Sequence, residues 1–453
     1  MADSAEIGFP LDGEDPSVVG PSTYFRPEHL GALQPEVRRL IEQRERVLGA
    51  SYRLFYQEPF VAVSGAGATL TDHTGRTYLD FYNNVAVVGH ARPEVVAAMA
   101  QQAALVNSHT RYLHPSVAEY SELLLSSLPD PLDRVVYTCT GSEANDLALR
   151  IARAVTGHQG VIVTDYAYHG ITEATAELSP SLLGPEHLGS RVRVVSSPMN
   201  PSGNWATEVD AAISDLKKKG LGVAAFLLDT VLASDGLWPH GSHPTLDADI
   251  EYVTRAVREA GGLVIADEVQ GGFARVGQSF WGFVDRGMTP DLVTLGKPMG
   301  NGYPVAGVVA PADTFQLFSE RGRYFNTFGG TPVAMAAARA TWEVLHKEDI
   351  PAHVERLGEV VGRGLREMLL QPCVSAVRGV GLYWSVDLVN ESGEPDQQHT
   401  TAVVNRMREK GILLAASGPH NSSLKIRPPL VVNDEQVAQF LGALQASLQE
   451  DDQ

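Results

Sequence analysis

"DRVVYTCTGSEANDLALRIARAVTGHQGVIVTD", residues 133–165, sets a strand, a helix and a second strand within one short span. The runs "RVVYT" and "GVIVT" are short and rich in β-branched residues, while the stretch between them carries its apolar residues at helical spacing. An unbroken apolar strand is one buried on both faces, and two such strands bridged by an amphipathic helix make a βαβ unit. The pattern then repeats through "RVRVVSS", "VAAFLLD", "DADIEYVTRAVREAGG", "LVIADEV" and "DLVTLG". This predicts an α/β core with a mostly parallel sheet and helices on both faces. After the long helix of "TPVAMAAARATWEVLHKED" come a polar helix at 352–369, the strands of "SAVRGVGLYWSVDL", "ILLAAS" and "SLKIRPPL", and a last helix from 433. The expected division is an acidic arm at 1–22, a large domain at 76–344, and a smaller α/β domain at 345–453 completed by residues 23–75.

Composition narrows the function classes. The chain has 453 residues, 44% hydrophobic and 20% charged, as a soluble globular protein does. Its net charge of −19 and the lack of any basic run beyond "LKKKG" at 216–220 argue against nucleic acid, whose phosphates need clustered Lys and Arg. That run reads as a solvated helix end. Two cysteines, Cys139 and Cys373, build no disulfide framework, so a reducing cytoplasmic location is expected. No stretch is long and apolar enough to span a bilayer. The first 22 residues lack the basic and apolar regions of a signal peptide and read as an extended arm that orders against a partner subunit.

Four stretches carry candidate chemistry. "TLGKPMGNGYPVAG" puts Lys297 at the end of an apolar strand, where ligand sites of open α/β sheets lie. A lone lysine there is more often a solvated loop residue. Thirty positions earlier "LVIADEVQGGF" ends a strand with Asp267 and Glu268. These suit a metal site, a helix cap, or a carboxylate that keeps a heterocyclic nitrogen protonated, as pyridoxal phosphate requires. No further cluster of metal-ligand residues stands out, so no metal is expected. In "TCTGSEAND", Thr140 and Glu143 fit a capping box, and the N–H groups of Gly141 and Ser142 at the positive helix end suit a phosphate or simply cap the helix. "DYAYHG" offers Tyr168 and His169 to the same sheet edge, for packing or for stacking on a flat ring.

In this order the four stretches resemble the class III (ω-aminotransferase-like) family of fold type I pyridoxal phosphate enzymes, over nearly the whole chain after the acidic arm. The resemblance implies that Lys297 binds the cofactor covalently and then acts as the proton-transferring base, and that Asp267 pairs with the pyridine nitrogen. Val269 and Tyr168 would lie against the two ring faces, Gln270 would reach the ring hydroxyl, and Gly141 and Ser142 would hold the cofactor phosphate. "YFNTFGGTP" resembles the segment through which a neighbouring subunit adds a threonine, here Thr327, to that phosphate. A homodimer with shared active sites follows.

Two departures from ordinary transaminases of the family bear on the reaction. Where they carry a segment like "EPIQGEGG", whose second Glu switches an arginine between substrates, this chain reads "DTVLASDGL" with Ser234 at that position. Near the C-terminus, Lys425 stands where transaminases using 2-oxo acids have a carboxylate-clamping arginine, and a lysine cannot reproduce the bidentate fork. Lys425 and Arg427 in "SSLKIRPPL" lie two apart, on one face of a strand and roughly 7 Å from one another. That suits a dianion, although the prolines equally allow a solvated edge. "NNVAVVGH", "NSHTRYLH" and "GPHNSSLKIRPPL" resemble the phospholyase branch, which acts on ethanolamine phosphate or 5-phosphohydroxylysine. By that resemblance Asn83, Asn84 and Arg111 line the substrate pocket. The expected activity is elimination of phosphate from a small phosphorylated amine. The alternatives are an ω-amino acid:2-oxo acid aminotransferase, which shares every cofactor residue, and a non-catalytic cofactor-sensing protein.

Overall fold

The computed structural model describes residues 23–200 and 202–450, so the acidic arm lies outside the described residues. Its centre is a seven-stranded sheet in the order Arg134–Thr138, Ala306–Ala310, Leu292–Leu295, Leu263–Asp267, Val223–Asp229, Gly160–Thr164, Val192–Val195. Only Ala306–Ala310 runs antiparallel to its neighbours; the other pairings are parallel. Val223–Asp229 is buried at every position, as an apolar run between two helical layers must be. On one side helix Gly141–Thr156 covers the sheet with Leu147, Ile151 and Ala152, and on the other Trp205–Lys218 and Leu246–Glu259 close a second apolar layer. Lys217 and Lys218 sit exposed in the last turn of their helix, as the "LKKKG" run predicts.

The remaining strands form two four-stranded sheets. One is antiparallel throughout: Val374–Val380, Tyr383–Leu388, Ser423–Ile426, Ala415–Ser417. The other joins the meander Ala62–Ala66, Thr69–Asp72, Thr77–Asp80 to Ile412–Leu413, which pairs parallel with Thr77–Asp80. Residues more than three hundred positions apart therefore share one sheet. Helix Pro332–Lys347, apolar nearly all round, is buried along most of its length and packs against Pro93–Leu105. Ile350–Glu367 and Asp434–Gln449 follow where the sequence places helices, the latter capped by Asn433.

Candidate active site

Every parallel strand of the large sheet ends on the same edge, and the loops leaving five strands converge there around a cavity of about 310 Å³. Its wall includes Gly141, Ser142, Asn145, Tyr168, His169, Asp229, Asp267, Val269, Gln270 and Lys297. Of the residues singled out in the sequence, Thr140, Gly141, Ser142, Tyr168, His169, Asp267, Val269, Gln270 and Lys297 thus meet in one place.

Asp267 is the best-anchored group. Its Oδ2 accepts from Asn145 Nδ2 and from His169 Nδ1, both at 2.8 Å, and its Oδ1 accepts from the Val269 N–H at 3.0 Å. Burial alone would raise the carboxyl pKa, but the His169 contact, the Val269 N–H and the Asn145 amide outweigh it and hold the pKa below its ordinary value. Asn145 is itself fixed, accepting from Thr294 Oγ1 at 2.7 Å and donating to the His169 carbonyl at 2.8 Å. A negative charge is thereby kept at the floor of the cavity.

Lys297 follows strand Leu292–Leu295 with φ of +33°, a left-handed conformation that a non-glycine residue holds only under constraint. Burial, then repulsion from Arg427, pulls its amine down to about 8, against the attraction of Asp267 and Asp229. The neutral amine that a nucleophile or base needs is therefore accessible near neutral pH.

The helix that opens at Gly141 carries the expected capping box: Thr140 Oγ1 accepts from the Glu143 N–H at 3.1 Å, and Glu143 Oε2 accepts from the Thr140 N–H at 3.0 Å. Glu143 Oε2 also takes the Cys139 N–H at 2.7 Å. Gly141 and Ser142, whose N–H groups belong to the positive first turn of the helix, line the cavity. A Cβ on Gly141 would lie 2.9 Å from Val269 Cγ2, so glycine permits the loops to close together here.

Gln270 connects this site to the C-terminal strand. Its Oε1 accepts from Arg427 Nη1 at 2.5 Å and from the Tyr383 hydroxyl at 3.3 Å, which turns its amide nitrogen away from both. Arg427 also donates from Nε to the Tyr82 carbonyl at 2.7 Å, and its guanidinium stands 4.7 Å from the Tyr82 ring centre. Strand pairing stops at Ile426, so Arg427 follows its own course rather than a strict strand alternation. Lys425, opposite Ser385 and Ala415, has its pKa lowered, by burial first and then by Arg427 and Lys297, with Asp229 opposing. Among the described residues neither Lys425 nor Arg427 forms an ion pair with a carboxylate.

Other candidates lie elsewhere. Thr327 is exposed in the loop before helix Pro332–Lys347, beside exposed Phe328 and Phe325, and does not line the cavity of its own chain. Arg111 is exposed and stacks 3.8 Å from the Phe325 ring centre. Asn84 is buried with an unpartnered Nδ2, outside the cavity wall although its neighbour Val85 is part of it. Asn83 accepts the Val85 N–H and lines a separate cleft with Tyr82 and Phe55. Ser234 sits partly buried in the loop after Val223–Asp229. Glu268 is a helix cap: it accepts the Gly282 and Phe283 N–H groups and the Thr230 hydroxyl, and burial pushes its pKa up to about 7. Among the described residues no group of three or more His, Cys, Asp or Glu is placed to hold a metal ion.

Neither Asn145 nor Asp229 stands out as a site residue in the sequence. Asn145 stands four residues after Gly141, on the same helix face, which spacing alone could have shown. Asp229 carries no such signal; parallel pairing puts it beside Asp267, and its two oxygens accept the Val231 and Ala233 N–H groups at 3.1 Å each.

Residues 55–448 match the class-III aminotransferase family. The chain belongs to that family. It is 37% identical over 425 residues to a Drosophila melanogaster protein called alanine–glyoxylate aminotransferase 2-like, covering 88% of this chain and 85% of the other. It is 34% identical over 435 residues to the Caenorhabditis elegans ethanolamine-phosphate phospho-lyase homolog 1, covering 89% and 92%. An Arthrobacter phospholyase solved in complex with phosphoethanolamine superposes with a TM-score of 0.86 at 42% identity, covering 90% of this chain and 99% of that one.

Class-III aminotransferases have the fold type I architecture and use pyridoxal 5'-phosphate. The cavity fits that group on its own terms. A carboxylate held ionised at the floor suits a protonated ring nitrogen, Val269 and Tyr168 line the wall, and the helix start at Gly141 and Ser142 suits its phosphate. Lys297, with its lowered pKa, is the amine to which it would attach. Among the described residues no helix is long and apolar enough to cross a membrane.

Proposed function

We propose that the protein is a pyridoxal phosphate-dependent phospho-lyase that eliminates phosphate from a small phosphorylated amine, with ethanolamine phosphate the favoured substrate. The observation that carries this reading is the pair Lys425 and Arg427: two basic side chains in no ion pair among the described residues, joined to the cofactor cavity through Gln270 and the field at Lys297, with burial and Arg427 holding the Lys425 pKa well down so that an anion bound beside it favours its charged form. The cofactor's own phosphate has its candidate place at Gly141 and Ser142, so this pair is left for a second anion. A point-charge lysine beside an arginine suits a phosphate better than a planar carboxylate. The likeness to an Arthrobacter phospholyase bound to phosphoethanolamine supports the same reading.

Bound pyridoxal phosphate supplies the electron sink that makes the carbon bearing the substrate nitrogen acidic. Lys297 removes that proton as the general base. The C–O bond on the adjacent carbon then breaks, and phosphate leaves with the electron pair, its developing charge met by Lys425 and Arg427. The two-carbon product takes up water and ends as acetaldehyde and ammonia. Asp267 stays ionised throughout, and Gln270 ties the Arg427 side chain to the cofactor wall.

A homodimer and a cytoplasmic location belong to this reading. The dimer is supported by exposed apolar side chains near Thr327: Phe325 and Phe328 beside it in the chain, and Tyr112, which meets Phe325 through the His109 ring. An ω-amino acid:2-oxo acid aminotransferase is the second reading; the Drosophila relative called alanine–glyoxylate aminotransferase 2-like supports amino transfer. The two differ in products: without any 2-oxo acid, a phospho-lyase yields phosphate, acetaldehyde and ammonia in equal amounts, whereas a transaminase yields no phosphate.

A further inference from the structure

Behind the substrate cations stands a third that the proposed chemistry does not use. Arg275 belongs to the loop that leaves the Asp267 strand, and it is only 2% exposed. Its Nη1 donates to the Leu382 carbonyl at 3.0 Å and to the Pro428 carbonyl. Pro428 directly follows Arg427, and Leu382 directly precedes Tyr383, whose hydroxyl meets Gln270. The Arg275 carbonyl accepts the Leu382 N–H at 3.2 Å, and a Cβ on Gly381 would lie 2.4 Å from that same oxygen. One side chain thus ties the cofactor-side loop to both segments that hold the Gln270–Arg427 contact.

Its charge has no counter-ion. Arg275 forms no ion pair among the described residues, and its Nη2 is buried without a hydrogen-bond partner. The charged and titratable groups that face it are Arg427, which repels it, Tyr383 and Asp80. Asp80 is already engaged by His90 Nε2 at 2.7 Å and by the N–H groups of Tyr82 and Asn83. Burial, then Arg427, lowers the Arg275 pKa to about 9. Burying a charge without a partner is costly, so a guanidinium held there without a counter-ion points to a use for its charge.

We propose that Arg275 is a positioning residue for the substrate phosphate: it fixes Arg427 through the Pro428 carbonyl, and its unneutralised charge adds to that of Lys425 and Arg427, favouring a dianion over a monoanion. The inference rests on the phospho-lyase reading. It predicts that the site ranks ligands by charge at constant shape.

The test compares holoenzyme forms of wild type, Arg275→Met and Arg275→Lys on ethanolamine phosphate and on 2-aminoethyl sulfate, the same skeleton with one negative charge fewer. Visible absorption of the bound cofactor is read in parallel. Arg275→Met should weaken the phosphate ester about tenfold and the sulfate ester about threefold, with KM rising more than kcat falls. Arg275→Lys, which keeps the charge but not the two-carbonyl grip, should weaken both esters alike and keep the preference for the dianion. Equal weakening of both esters in Arg275→Met, or no change in either, overturns the proposal. Should the methionine form not fold, loss of the dianion preference in Arg275→Lys overturns it and retention supports it. Inhibition of the wild type by inorganic phosphate separates the two levels: without it the phosphate reading itself fails, whereas inhibition retained in full by Arg275→Met sinks only the role of Arg275.

Discussion

Replacing Asp267 with Asn keeps the side chain's shape and removes its charge, and the surrounding bonds set the cost. The carboxylate receives three donors: Asn145 Nδ2 and His169 Nδ1 on one oxygen, the Val269 N–H on the other. An amide has a single acceptor oxygen. If that oxygen serves Asn145 and His169, the new NH₂ meets the Val269 N–H; if it serves Val269, the NH₂ meets the Asn145 amide. His169 can adapt by changing tautomer, but Asn145 cannot turn over without giving up its bond to the His169 carbonyl. At least one hydrogen bond to a charged group is therefore lost without replacement, about 1.5–3 kcal/mol of apoenzyme stability. Because folding depresses the Asp267 pKa, the native carboxylate stabilises the fold fully above the ordinary carboxylate range, and the contribution fades as pH falls through its depressed value. The stability gap between wild type and Asp267→Asn should be full at neutral pH and close in strong acid, as read by urea titration across pH. Loss of a charge partner for the ring nitrogen should also cost about 3 kcal/mol in the chemical step, roughly a hundredfold in kcat. A variant with unchanged unfolding midpoints and a kcat within a few-fold of wild type would refute the role assigned to this network.

Three further outcomes are expected. Lys425→Ala and Arg427→Ala should each raise KM for a phosphorylated amine by about tenfold or more, with cofactor content little changed; identical kinetics in either variant clears that residue. Reattachment of pyridoxal phosphate to apoenzyme should speed up as pH rises through about 8, where the Lys297 amine loses its proton, and Arg427→Met should move that midpoint upward by removing a repelling charge; a midpoint unmoved by the substitution contradicts the coupling. Gly141→Ala should weaken cofactor binding by about 1–3 kcal/mol, because its Cβ would press on Val269 Cγ2 at 2.9 Å, and Val269→Ala should relieve it; equilibrium dialysis of the single and double variants measures the coupling.

The α/β core was legible because its central strands are buried on both faces and so are written as nearly unbroken apolar runs, with Asp267 and Lys297 falling at their ends. Gly141 and Ser142 were legible through the capping box, a local signal of four residues. What sequence could not show is what depends on contacts between distant strands. Asp229 reaches the site only through pairing with the Asp267 strand, and Arg275 only through carbonyls more than one hundred positions away. Strand alternation put Lys425 and Arg427 on one face, yet the strand ends at Ile426 and Arg427 is taken up by Tyr82 and Gln270. Thr327 and Arg111 lie exposed in a single chain, where no local pattern says what they meet.

Elimination and amino transfer part ways in how many turnovers proceed without an amino acceptor. Purified holoenzyme is given excess ethanolamine phosphate with no 2-oxo acid, and released phosphate is followed against enzyme concentration. Many equivalents of phosphate per active site are expected, matched by acetaldehyde and ammonia and indifferent to added pyruvate. A reaction that consumes one equivalent of amine, stops, and resumes only when pyruvate is supplied would contradict elimination.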